Sequence, residues 1–165
     1  MNKEKSIEVL NSLIEINNDR IEGYETAEKE TAELDLKTLF AQFAKTSKKC
    51  KVELVNEVHK LGGIPAEGTR TTGKLYRAWM DIKATLTGKN RKAILSSCEF
   101  GEDVAANIYK KVLKDNDADL SAEQNSLIGT QHSAIKADHN KVKGLRDMVA
   151  GSYAAGAYTI HYEIK

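Results

Sequence analysis

Apolar residues recur three and four positions apart over most of the chain. In residues 3–32 the series is Ile7, Leu10, Ile14, Ile21 and Tyr24, with Asn17 in the one vacant place and Leu13 and Ile16 widening the stripe. This period predicts an amphipathic helix. A second helix is predicted over 36–61 from Phe40, Phe43, Ala44, Cys50, Leu54, Val58 and Leu61. Gly62-Gly63 stops it, and Ile64-Pro65 must be extended because proline disfavours a helical residue before it. A Gly- and Thr-rich loop leads into a shorter helix, 73–87, with Leu75, Trp79, Ile82 and Leu86 on one face and Gly88 as its stop. A third long helix, 90–114, carries Ile94, Cys98, Gly101, Ala105, Ile108 and Val112. A fourth, 121–149, carries Ile128, Ile135, Val142, Leu145 and Val149, with Gln131 and either Asp138 or His139 on the same face. Ser121 followed by Gln124 is the signature of a capping box at its start.

Four long apolar stripes can bury themselves only against one another. The expectation is therefore an all-α fold, a four-helix bundle over 1–149 with an extra short helix in the connection between the second and third long helices. Short connections make the first pair and the last pair antiparallel. The short helix alone covers roughly 20 Å. That is enough to cross most of the bundle, as in ferritin-like topologies, although a helix packed across one end would also fit. The tail, 150–165, differs: Tyr158 to Lys165 alternates apolar and polar residues with the period of a strand. Such a tail is either frayed, or packed on the bundle or on the same tail of a second copy.

Composition narrows the function classes. Of 165 residues, 41% are hydrophobic and 30% charged, and the one proline, Pro65, sits in the one long break of the helical pattern. Lys and Arg total 25 against 24 Asp and Glu. That balance argues against nucleic acid as a partner. No apolar run approaches bilayer length, so no membrane partner is expected. The N-terminal stretch lacks a basic-then-apolar leader pattern, which points to a cytoplasmic protein. Cys50 and Cys98 lie on apolar faces and read as reduced, buried thiols. No CxxC, phosphate loop or nucleophile elbow occurs, so catalysis is not the leading expectation.

Several strings, in order, carry a resemblance. They are Leu13-Ile14-Glu15-Ile16-Asn17-Asn18-Asp19-Arg20-Ile21-Glu22-Gly23-Tyr24, then Leu61-Gly62-Gly63-Ile64-Pro65, then Gly68-Thr69 through Gly73 with Leu75, Arg77 and Trp79. Cys98-Glu99-Phe100-Gly101-Glu102-Asp103 follows, with Gln131 and His139 further on. Over roughly residues 5–148 the chain resembles a bacterial domain-of-unknown-function family, family 2383, a branch of the ferritin-like four-helix-bundle superfamily. The resemblance implies a fold more than an activity.

Ferritin-like di-iron sites take one Glu from each of two helices and a Glu-x-x-His pair from each of the others. This sequence departs from that set. Asn56 stands three residues before His59, and Lys136 three before His139. The candidate ligands that remain are Glu22, Glu25, Glu53, Glu99, Glu102 and His139, for iron or manganese. Glu99 and His139 share an axial level that Glu22 could join, whereas Glu25 finds no carboxylate at its own level. The structural reading beside this one makes Glu99, Glu102 and Asp103 an acidic patch pairing with Arg77, Arg91 or Arg146. In that reading Asn17 and Gln131 are polar core residues that hydrogen-bond each other and fix the register of the helices. Gly101 then permits close approach of Trp79 or Tyr76. The expected function is a non-enzymatic assembly or binding protein, stress-related, forming a homodimer or other homo-oligomer. The alternative is an iron- or manganese-binding, oxidase-like protein with an incomplete site. A third reading places a small-molecule cavity among Trp79, Tyr24 and Tyr109.

Overall fold

The computed structural model describes residues 2–69, 74–87 and 90–162. Among these, five α-helices follow in order: α1 Lys3–Glu30, α2 Leu34–Lys60, α3 Lys74–Thr87, α4 Arg91–Asp115 and α5 Ala122–Tyr162, with a 3-10 turn at Asp117–Asp119 before α5. The caps explain several boundaries. Asn2 accepts from the backbone N–H groups of Glu4 and Lys5, and Asn90 accepts from that of Ala93. Ser121 and Gln124 form the expected reciprocal box, at 3.0 and 3.1 Å. Gly62, at φ 72°, turns the chain out of α2 in a conformation other residues rarely adopt. The expected stop at Gly88 lies outside the described residues.

The tail corrects one expectation. Its alternating pattern does not make a strand, because α5 continues through Tyr162. Ala150, Ala154, Ala155 and Ala157 precede the alternation, and alanine is the strongest helix former. With no strand among the described residues to pair with, the helix simply propagates.

Interior contacts fix the direction of each long helix. One layer joins Arg20, Ser47, Glu102 and Asp138. A second joins Asn17, Cys50, Tyr109 and Gln131. Passing from the first layer to the second, the residue number falls along α1 and α5 and rises along α2 and α4. Helix α1 is therefore antiparallel to α2, α4 to α5, and α4 runs parallel to α2. Parallel α2 and α4 require the chain to travel the length of the bundle between them. It does so along α1. Asn11 acts as a surrogate strand edge, donating to the Ile64 carbonyl at 3.0 Å and accepting from the Ala66 N–H at 2.9 Å. Asn18 donates to the Gly68 carbonyl at 2.9 Å. Helix α3 then packs on both α1 and α4.

Two apolar clusters lie on either side of the Arg20 layer. One gathers Leu10, Leu13, Ile14, Leu54, Val58, Ala105 and Ile128; the other gathers Tyr24, Phe40, Phe43, Ile82, Leu95, Cys98 and Val142. Tyr24 meets Phe43 and Trp79 edge-on, with ring centroids 5.1 and 4.8 Å apart. Both thiols are free and buried, as expected. Burial pushes the Cys50 thiol up to about 11 and raises that of Cys98 further. Neither thiol should react with a water-soluble disulfide reagent at pH 8 while the protein is folded, and both should react in denaturant. Fast labelling of either thiol in the native protein would contradict this packing. No described helix is long and apolar enough to cross a membrane.

Candidate functional site

At the centre of the bundle the sequence places a full positive charge. Arg20 is wholly buried on α1. Its Nε donates to Glu102 Oε1 at 3.1 Å, and Nη2 donates to both Glu102 oxygens at 3.0 and 2.8 Å. Nη1 donates to the Ser47 hydroxyl at 2.6 Å, and Nη2 also reaches Asp138 Oδ2 at 3.2 Å. Tyr24, one turn on, donates its hydroxyl to Glu102 Oε1. All four long helices contribute a group. A planar guanidinium with five donors suits this convergence, because it can hold two carboxylates and a hydroxyl at once.

The electrostatics follow from burial and pairing. Burial by itself lowers the pKa of Arg20, but Glu102, Tyr24 and Asp138 outweigh it and raise the value above the ordinary range. Burial raises the carboxyls of Glu102 and Asp138, and the guanidinium opposes that rise in both. A charge taken out of water costs several kcal/mol. Here the charges are offset chiefly by one another, so the cluster is one unit.

A second polar layer lies one turn or two further along. Asn17 donates to the Tyr109 hydroxyl at 2.7 Å, and that hydroxyl donates to Gln131 Oε1 at 2.9 Å. Gln131 in turn donates to the Cys50 carbonyl at 3.1 Å and to Glu53 at 3.0 Å. Asn17 and Gln131 are thus both buried core residues, as expected, but they do not bond each other. Tyr109 stands between them, since neither amide spans the bundle alone.

The candidate ligands separate rather than converge. Glu102 points into the Arg20 cluster. Glu53 serves Gln131. Glu25 pairs with Lys48 on the surface at 2.5 Å. Glu22 is exposed on α1. Glu99 and His139 do come together, on the outer flank of the α4–α5 contact. His139 Nε2 is 2.7 Å from Asp103 Oδ1 and 3.8 Å from Glu99 Oε1. Arg146 takes the other oxygen of Glu99 and also bonds Asp147. Of the arginines expected to face the acidic patch, Arg146 does so, while Arg91 bonds Glu33 and Asp35 at the α1–α2 turn. The six candidates therefore do not form one centre.

One concavity lies between α1 and the crossover helix. It is a cleft of about 370 Å³ whose walls include Glu22, Gly23, Tyr76, Trp79, Met80 and Lys83. Gly23 is what lets Trp79 lie against α1, because a methyl group built there would stand only 2.3–2.4 Å from three atoms of the indole ring. The close approach expected of Gly101 occurs against Ala78 and Ile82 instead, each 3.7 Å from the position of a Cβ. The indole Nε1 is buried and has no hydrogen-bond partner among the described residues. Tyr24 touches Trp79, but Tyr109 lies in the second polar layer, so the three aromatics do not enclose a common cavity.

Sequence reasoning singled out neither Arg20 nor Ser47. One signal was present. Leu10, Leu13, Asn17, Arg20, Tyr24 and Ala27 also alternate in steps of three and four, and all six are buried, whereas Ile7 and Ile21 are half-exposed.

No functionally curated protein matches the chain. A family model described as Domain of unknown function (DUF2383) matches residues 5–115, from α1 to the end of α4, and so takes in Arg20, Tyr24 and Glu102 but leaves Asp138 and His139 outside. The chain belongs to the DUF2383 family.

Proposed function

We propose that this protein is a ferritin-like bundle without the ferritin-type interior metal centre, and that it works by binding and self-assembly rather than by catalysis. The observation that carries this reading is the Arg20 cluster. The residues at the middle of the bundle do not suit a dinuclear ion site: the two carboxylates of the Arg20 layer, Glu102 and Asp138, already serve a guanidinium. A cation placed beside Arg20 would meet like-charge repulsion at low dielectric. No histidine with a described side chain lies in the interior, since His59 is exposed and His132 and His139 are half-exposed. An oxidase-like interior loses its support on the same grounds.

The binding face we infer is the cleft between α1 and α3, with a second copy of the chain as its occupant. Tyr76 and Met80, one turn apart on α3, both line the cleft and are 41% and 49% exposed. Large side chains exposed together mark contact surfaces more often than isolated ones do. The rim carries Glu22 on α1 and Lys83 on α3. A two-fold axis passing between them would set each against the opposite charge of its mate. A net charge of +1 places no long-range barrier between copies. Light scattering at micromolar concentration should give a dimer or larger for the wild-type chain and a monomer for Tyr76→Lys/Met80→Lys. A monomeric wild type would overturn the assembly reading.

A further inference from the structure

Outside the interior, two carboxylates and an imidazole meet on the flank of α4 and α5. We propose that Glu99, Asp103 and His139 form a mononuclear site for a divalent transition-metal ion. The proposal is independent of the assembly reading and of the interior cluster.

The positions follow from the helices. Glu99 and Asp103 are four residues apart on α4, so their carboxylates leave the same face one turn apart. His139 comes from α5, packed against it. One donor atom from each lies within 4.8 Å of the other two. Two donors bound to one ion at about 2.0–2.2 Å stand roughly 3.0–3.6 Å apart. The 3.8 Å from His139 Nε2 to Glu99 Oε1 is too long for a hydrogen bond and within a few tenths of an ångström of that span. The 2.7 Å to Asp103 Oδ1 has to open slightly as an ion enters. Asp103 is half-exposed, so the movement is unhindered and solvent reaches the open coordination positions.

The outer atoms of two donors are already held. Arg146 bonds Glu99 Oε2, which leaves Oε1 facing the histidine. Asn140 Oδ1 lies 3.2 Å from His139 Nδ1, which leaves Nε2 facing the carboxylates. Partners of this kind orient ligands and fix the imidazole tautomer in metal sites. The charge is also right. With a neutral imidazole, Glu99, Asp103 and Asp147 oppose a single guanidinium, Arg146. The ion-paired group is thus two charges short of neutrality, which one divalent ion supplies. Lys136 and Lys143 flank His139 on α5 but are exposed, where solvent and salt screen them. One imidazole with two carboxylates and no thiolate suits Zn²⁺, Fe²⁺ or Mn²⁺, with zinc the tightest of the three.

The test uses the full chain, stripped with chelator and titrated calorimetrically with Zn²⁺ and, separately, with Mn²⁺. One site per chain is expected, with zinc tighter than manganese. His139→Gln and Asp103→Asn should each weaken zinc binding at least tenfold, while leaving the helical circular dichroism and the metal-free melting temperature nearly unchanged. His132→Gln should leave binding intact. Absence of saturable binding in the wild type would overturn the proposal. So would undiminished binding in His139→Gln, which would assign the ion to adventitious surface groups. With the light scattering done in the presence of chelator, failure of the assembly reading and failure of this one are separate results.

Discussion

Arg20→Met is expected to destabilise the fold by about 3–5 kcal/mol, the usual cost of leaving a buried charge without its partner. Methionine can fill much of the volume of the arginine stem, so the loss is electrostatic rather than a matter of packing. Glu102 is 1% exposed and would keep only the Tyr24 hydroxyl. Asp138 would lose the same cation. The double variant Arg20→Met/Glu102→Leu removes both charges of the closest pair and should recover a large part of the loss, since buried pairs replaced together by apolar residues are often close to neutral. Urea unfolding of the four proteins in the cycle reads the coupling directly. Additive single and double effects would mean that the guanidinium and the carboxylate do not act as a unit.

Gly23→Val should destabilise the protein by about 1–3 kcal/mol through overpacking, beyond what its better helix propensity returns. The added carbon enters the space of the Trp79 ring, a rigid group packed against Gly23 and edge-on to Tyr24 on α1. Either the indole leaves or α3 lifts from α1. Trp79 is the single tryptophan, so its emission reports on this contact alone. It should shift to the red in the variant while the helical circular dichroism stays near native. Gly101→Ala is the matched control. There the new methyl group meets Ala78 and Ile82 at an ordinary 3.7 Å, and the gain in helix propensity, up to about 1 kcal/mol, should make the change neutral or stabilising. Equal effects at the two glycines would contradict the packing described for the crossover helix.

The helices and their order were readable because each rests on local chemistry. The apolar period, the Ser121–Gln124 box, and Gly62 past the end of α2 all act within one or two turns. The direction of α4 depends on the length of the crossover, which the sequence contains, and on the Asn11 and Asn18 contacts that pin it to α1, which pattern does not reveal. The interior was harder for a physical reason. In α1 two stripes with the same spacing overlap, one through Ile14 and Ile21 and one through Leu13 and Arg20. An arginine normally marks the edge of a buried face. It moves inside only when its counterions do, and Glu102 and Asp138 come from helices 82 and 118 residues away. A single helix cannot announce that. The same holds for Asn17 and Gln131, whose link is the Tyr109 hydroxyl. On α5, Asp138 and His139 competed for the inner face. The structure gives the interior to Asp138 and turns His139 outward, toward Asp103.

The cation inside the bundle is the protein's own guanidinium, and no metal ion is expected beside it. Elemental analysis of the full chain carrying Asp103→Asn and His139→Gln, produced with iron and manganese supplied and purified without chelator, tests this most directly. With the flank donors removed and the middle of the bundle filled by Arg20, Glu102 and Asp138, the predicted result is no bound ion above the buffer blank. A stoichiometric pair of ions in each chain, lost when Glu102 is changed to Gln, would contradict it.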